Sequence, residues 1–136
     1  MRVLITGANR GLGDVITKQL LRTNIPLTLH LTARDLSVFD HSKYTSTTST
    51  ISYHQLHLDE ENPANVSALI NALPTFNHIF HIASPWNKTN LQQAALADLL
   101  AMTTCQRNEL LVLTQLSKKL IEGGSLIAAG SIVSTI

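Results

Sequence analysis

The chain has one cysteine, Cys105, so it can close no internal disulfide and build no cysteine cage around a metal. Such usage fits a reducing compartment. Charge is scarce too: 14% of the 136 residues are Asp, Glu, Lys or Arg, against about 25% in an ordinary soluble domain. That deficit points to surface covered by other secondary structure or by a partner. A net charge of +1, with no basic cluster longer than Lys118-Lys119, gives no footprint for nucleic acid or an anionic membrane. No apolar run approaches the ~18 residues of a membrane span. No charged N-terminal region leads into a long apolar core, so no signal peptide is visible. A cytoplasmic globular domain is expected, and the length suits one domain with its own core.

What the chain does have is a glycine cluster in a defined setting. Three of its six glycines fall in Thr6-Gly7-Ala8-Asn9-Arg10-Gly11-Leu12-Gly13, after the apolar run Val3-Leu4-Ile5 and before a segment of helical period. Strand, glycine turn and helix start in that order make an anion site. The helix start offers unpaired backbone N–H groups and the positive end of its dipole. Gly7 suits the tight turn, Gly11 lets backbone approach a pyrophosphate, and Gly13 lets the helix pack close to the strand.

The rest alternates between strand and helix patterns. Residues 2–5 read as a strand, and residues 11–24 as a helix with Leu12, Val15, Ile16 and Leu20 in one apolar stripe. Asp14, Lys18 and Arg22 lie off that stripe, and Asn24 and Pro26 stop the helix. Further strands are expected at 27–33, 51–58, 78–83 and 126–129. Asn62 caps a helix over 64–73, with Pro63 at its first position. A long helix is expected over 90–121, broken near Thr103-Thr104 and stopped by Gly123-Gly124. The Ser/Thr-rich stretch 44–52 follows at most a short helix over 37–43, and its side chains compete for backbone hydrogen bonds. A loose, solvated linker is expected there in preference to a lid. Strands alternating with helices imply parallel pairing and right-handed crossovers.

The spacing G-x-x-x-G-x-G, with Thr6 before it and Asn9-Arg10 inside it, resembles that of short-chain dehydrogenases/reductases. The resemblance implies an α/β, Rossmann-like doubly wound parallel sheet of about five strands in the order 3-2-1-4-5, helices on both faces. It makes residues 1–136 one NAD(P)-binding domain, with Gly7, Asn9, Arg10, Gly11, Leu12 and Gly13 at the cofactor. NAD-preferring members carry aspartate where this chain has Ala33. Arg10 and Arg34 fill the basic positions of NADP-preferring members, so NADP(H) is favoured over NAD(H). The alternative is that Arg34 is solvated and Asp35 binds the ribose.

By the same resemblance Asp59 contacts the adenine; alternatively it caps the helix after Pro63. Where the family often has Asn-Asn-Ala-Gly, this chain has His81-Ile82-Ala83-Ser84, and only Ala83 matches, as a cofactor residue. Phe80 to Pro85 looks closer to the family's extended, epimerase-like branch, whereas the glycine spacing belongs to the other. Ser131 falls at the family's catalytic serine, bonding the substrate oxygen; a plain strand-end serine is the alternative. The family's helix asparagine falls at Gln106, with Asn108 two residues away on another face, and neither is assigned.

The family's acid–base pair is Tyr-x-x-x-Lys, in which lysine lowers the phenol's pKa. The two tyrosines, Tyr44 and Tyr53, have Thr48 and His57 four residues on, and both precede Ser131. The chain is therefore expected to be truncated relative to the family fold. It reads as the cofactor half of an oxidoreductase acting on a small carbonyl or alcohol, as a stand-alone nucleotide-binding module, or as a structural partner. No metal site is expected, because His54 and His57, like His78 and His81, sit three apart and so on opposite faces of a strand. Cys105 reads as packing. A homo-oligomer is expected, through an exposed fifth strand or through Leu96, Leu99, Leu100, Leu110 and Leu113, which could equally cover the sheet.

Overall fold

The computed structural model of the chain describes residues 1–57, 62–83 and 95–129. The strands are β1 (Arg2–Thr6), β2 (Thr28–Ala33), β3 (Thr50–Gln55), β4 (Phe76–His81) and β5 (Leu120–Ala128). The helices are α1 (Gly11–Arg22), α2 (Pro63–Asn71) and α3 (Leu96–Ser117). All strands pair in parallel, in the order β3-β2-β1-β4-β5. That is the order the resemblance implied. Among the described residues no helix is long and apolar enough to cross a membrane.

β1 is central, so Val3, Leu4 and Ile5 are buried although they face opposite sides of the sheet. Leu4 joins Val66, Ile70, Ile79, Val112 and Leu116 in the core under α2 and α3. Val3 and Ile5 join Leu29, Leu31, Phe39 and Tyr44 in a second core, against which α1 packs. α2 starts as its sequence requires: Asn62 Oδ1 accepts the Ala64 N–H at 3.0 Å, ahead of Pro63. Its C-terminal carbonyls are held by Lys119, whose Nζ donates to Asn71 O and Leu73 O at 2.8 Å.

Three expectations need correction. The buried side of α1 is not the Leu12/Val15 stripe; Leu12 is 53% and Val15 51% exposed. Gly13 and Thr17 face inward, with Ile16, Leu20 and Leu21 partly buried beside them. A Cβ on Gly13 would stand 2.2 Å from Gly7 O, so the helix must turn this glycine toward the strand and carry its neighbours round.

α3 runs unbroken through Thr103-Thr104, where Thr103 Oγ1 donates to Leu99 O at 3.0 Å. It stops at Ser117, well before Gly123-Gly124, which lie inside a longer β5. The register jumps there: Phe76 pairs with Leu120, but His78 pairs with Ser125. Gly123 adopts φ +77°, and a Cβ on Gly124 would meet Asn77 O at 2.8 Å. These glycines form a bulge rather than a helix stop, two uses of the same backbone freedom.

Segment 44–52 is not a solvated linker throughout. Two 3₁₀ turns, Leu36–Val38 and His41–Lys43, lead to Tyr44, which is buried. Ser49 Oγ accepts from Leu27 N at 3.1 Å, and Thr50 already belongs to β3. Of the leucines that could serve an interface or cover the sheet, Leu96, Leu99, Leu100 and Leu110 are exposed, because Asn108, Val112 and Leu116 form the buried row of α3. Those leucines do not cover the described sheet. β5 is the outer strand of that sheet, and Ile127 on it is exposed.

Histidines three apart on one strand face opposite sides, but the sheet joins histidines of neighbouring strands. His30 Nδ1 and His54 Nε2 are 2.8 Å apart between β2 and β3. The ring planes differ by 13° and the centroids are 5.1 Å apart, which with so short an N–N contact sets the rings edge to edge in an in-plane hydrogen bond. Burial lowers the pKa of both, and for His30 the neighbouring charges of His54 and Arg2 add to it.

Candidate functional site

The C-terminal ends of β1, β2 and β4 meet at the glycine turn. The chain leaves Thr6, turns at Gly7 (φ +66°), and reaches Arg10 in extended conformation before α1 begins at Gly11 (φ +58°). A Cβ on Gly7 would lie 2.9 Å from Ala83 Cα, so the residue after β4 walls one side of the turn. At Gly11, by contrast, a Cβ would find nothing within 4 Å. This side of the turn is open. No side chain caps the start of α1, so its orphan N–H groups and dipole face that opening. Ala8 is fully buried and its N–H donates to Thr32 O at 3.1 Å, tying the turn to β2.

Two polar clusters support the turn from opposite sides of the sheet. On one side, the Tyr44 hydroxyl reaches Ala8 O at 2.9 Å and also the Asp14 carboxylate. Asp14 further binds Lys18 and Lys43, each at 3.0 Å. Burial works to raise its pKa, but hydrogen bonds from Tyr44, Lys43 and Lys18 outweigh it and hold the carboxyl at about 2. Tyr44 is pushed above its ordinary value by burial and by the adjacent Asp14. The two lysines neutralise a carboxylate that would otherwise repel an anion at the helix start.

On the other side lies Thr6. Its Oγ1 accepts the Ile82 and Ala83 N–H groups, both at 3.1 Å, and contacts His81 Nδ1 at 2.8 Å. His81 Nε2 in turn meets Glu109 Oε1 of α3 at 2.6 Å.

Of the residues expected at a cofactor, Gly7, Asn9, Arg10, Gly11, Leu12, Gly13 and Ala83 are brought together around this opening by the turn and the end of β4. Arg10 and Leu12 are exposed, Asn9 half-buried. Arg34 follows the buried end of β2 and is exposed. Asp35, the alternative ribose ligand, spends Oδ1 on the Ser37 N–H at 2.9 Å, and hydrogen bonds from the Ser37 side chain and backbone lower its pKa. Asp59 and Ser131 lie outside the described residues, as do Ser84 and Gly130. Gln106 is exposed and Asn108 buried. Among the described residues no three of His, Cys, Asp or Glu converge as metal ligands would.

Sequence reasoning missed Tyr44, Asp14 and Glu109. In the sequence Tyr44 only lacks a lysine four residues on, and Asp14 only lies on the polar side of a helix. A residue pattern could have flagged Tyr44, since Phe39, Tyr44 and Tyr53 form an aromatic cluster with edge contacts at 6.0 and 5.0 Å. Nothing local marks Glu109.

No protein-family model matches the chain, and no curated protein is similar to it in sequence. Solved structures are similar in fold. A short-chain dehydrogenase from Burkholderia cenocepacia, in complex with NADP, has a TM-score of 0.73 at 20% identity, over 96% of this chain and 55% of that one. An NADH-dependent reductase complexed with NAD has a TM-score of 0.71 at 18% identity, over 96% of this chain and 59% of that one. A mutant short-chain dehydrogenase/reductase of Serratia marcescens has a TM-score of 0.70 at 17% identity, over 96% and 55%. The chain thus spans between half and two thirds of the length of these structures, and over that span it has the fold of short-chain dehydrogenases/reductases.

Proposed function

We infer that the chain is the NADP(H)-binding part of a short-chain dehydrogenase/reductase-like oxidoreductase, transferring hydride between the nicotinamide and a carbonyl or alcohol carbon. One observation carries this reading: the open space at Gly11, above an uncapped helix start, at the C-terminal ends of the neighbouring strands β1 and β4. A pyrophosphate needs a place without a Cβ and with free N–H groups. The residues present fit it. The backbone of residues 9–13 would hold the pyrophosphate, and Ala83 would flank it. Arg10 and Arg34 would pair with a 2′-phosphate, and Asp59 would meet the adenine. When bound, the nicotinamide supplies or accepts the hydride, and Ser131 would bond the substrate oxygen. Residues 1–136 form a single domain in this reading. It is a cytoplasmic homo-oligomer, which the exposed α3 leucines and the β5 edge support.

Similar folds are complexed with NADP and with NAD, so the preference for NADP(H) rests on the two arginines. Titration with NADPH and NADH tests it. NADPH is expected to bind at least about tenfold tighter, and Arg10→Ala with Arg34→Ala to abolish that difference while leaving NADH binding intact. Tighter NADH binding overturns the preference, and failure to bind either nucleotide overturns the site.

A second reading, a nucleotide-binding module without catalysis, has its own support. Tyr44 is one of the two tyrosines of the chain, and it is buried beneath the glycine turn. Oxidation of NADPH by some carbonyl substrate separates the two readings.

A further inference from the structure

Thr6, His81 and Glu109 stand in the order hydroxyl, imidazole, carboxylate that elsewhere activates a nucleophile. Here the hydroxyl cannot serve as one. Thr6 is fully buried, and its oxygen already accepts two backbone N–H groups, from Ile82 and Ala83. Both lone pairs are used, so its single proton goes to His81 Nδ1. Nδ1 is then an acceptor, the ring proton sits on Nε2, and that proton goes to Glu109 Oε1 at 2.6 Å. Turning any one donor round leaves two groups mispaired in a buried site.

We propose that Glu109 and His81 are positioning residues for the glycine turn. Glu109 selects the Nε2–H tautomer of His81, the tautomer directs the Thr6 hydroxyl, and the hydroxyl oxygen holds the 82–83 backbone against Gly7. The clearance there is already minimal, with Ala83 Cα and N each 2.9 Å from where a Gly7 Cβ would be. A small displacement of residues 82–83 therefore changes the wall of the opening. Histidine at position 81 explains itself on these terms: an asparagine amide could bond Thr6, but only the longer imidazole also spans to α3. Helix α3 thereby bears on the geometry of the turn through His81. That this turn is a cofactor site rests on the reading above; the hydrogen-bonded chain itself does not.

Long-range proton–nitrogen NMR on the full chain reads the tautomer, amide exchange reads the 82–83 backbone, and NADPH titration reads the opening. Wild type is expected to show His81 protonated at Nε2 only. Glu109→Gln keeps an acceptor oxygen and should preserve the tautomer, the exchange rates and the NADPH affinity within about twofold. Glu109→Leu should give mixed tautomers, with Ile82 and Ala83 amides exchanging about tenfold faster and NADPH binding about tenfold weaker. Leu31, in the β2–β3 ladder, should exchange as before. In a His81→Asn background, Glu109→Leu should change nothing further, because the connection is already cut. This cycle also covers the case in which Glu109→Leu alone folds poorly. A wild-type Nδ1–H tautomer, unchanged exchange in Glu109→Leu, or equal damage in Glu109→Gln overturns the proposal. If wild type binds neither NADPH nor NADH, the cofactor reading falls, while tautomer and exchange still decide the positioning role.

Discussion

The Tyr44 hydroxyl donates to the carbonyl of Ala8 at 2.9 Å, across 36 residues of sequence, and also contacts Asp14 in the first turn of α1. One proton thus serves two acceptors, and a segment that looks like linker becomes a strut under the glycine turn.

Replacing that phenol with phenylalanine keeps the ring packing and removes only the hydroxyl. Tyr44→Phe should destabilise the fold by about 1–3 kcal/mol, the cost of leaving a buried acceptor unmade. Urea denaturation measures it; a midpoint shifted with an unchanged slope is the expected signature. No shift would mean that the hydroxyl is idle.

Asp14 predicts acid sensitivity of known sign. Its folded pKa is about 2 against an ordinary 3.8, so its contribution is complete above about pH 4 and is lost as pH falls toward 2. The difference corresponds to on the order of 2 kcal/mol. Asp14→Asn should lower stability at pH 6 and flatten the dependence below pH 4. An equally steep acid limb in that variant would assign the sensitivity to other groups.

His30 and His54 act in a higher window. Both folded pKa values lie below the ordinary 6.5, so the folded state favours the neutral rings. Their contribution is complete above pH 6.5 and diminishes as pH falls from there toward the lowered values, because the unfolded chain takes up more protons. Stability measured from pH 7.5 to pH 5 should decline, and His54→Gln should reduce that decline. A pH-independent midpoint over this range counts against the pair.

The glycines of the turn should fail in different ways. Gly13→Ala drives a Cβ to 2.2 Å from Gly7 O, so the α1–β1 contact must open and the chain should lose most of its cooperative unfolding. Gly11→Ala meets no atom within 4 Å, and its positive φ costs about 1–2 kcal/mol. That variant should stay folded yet bind NADPH poorly, since its methyl occupies the open side of the turn. Circular dichroism with nucleotide titration separates the two. Tight NADPH binding by Gly11→Ala would place the ligand elsewhere.

The parts legible in the sequence were those in which a few adjacent residues carry the whole cause. Val3-Leu4-Ile5 before the glycines, Asn62-Pro63 at a helix start, and the alternation of elements follow from sterics, capping and burial over short distances. The glycine turn, its helix and the parallel pairing could therefore be anticipated, whereas the strand order followed only from the resemblance to a family. Features with two local solutions could not. Gly123-Gly124 suits a helix stop and a strand bulge equally, and only the pairing of β5 with β4 selects the bulge. The inward face of α1 was misjudged because a single contact, Gly13 on Gly7, outweighs the apolar stripe.

Support for the turn was invisible for the same reason. Tyr44 and Ala8, His30 and His54, and Thr6, His81 and Glu109 are joined by hydrogen bonds spanning 24 to 75 residues. Hydrogen bonds act over about 3 Å, so such partners are decided by which strands lie side by side. The sequence by itself determined that a glycine turn would join a strand to a helix, because glycine's freedom and the apolar run are local properties. Only the tertiary structure decided what holds that turn in place: a tyrosine from below and an imidazole backed by a carboxylate from the far helix.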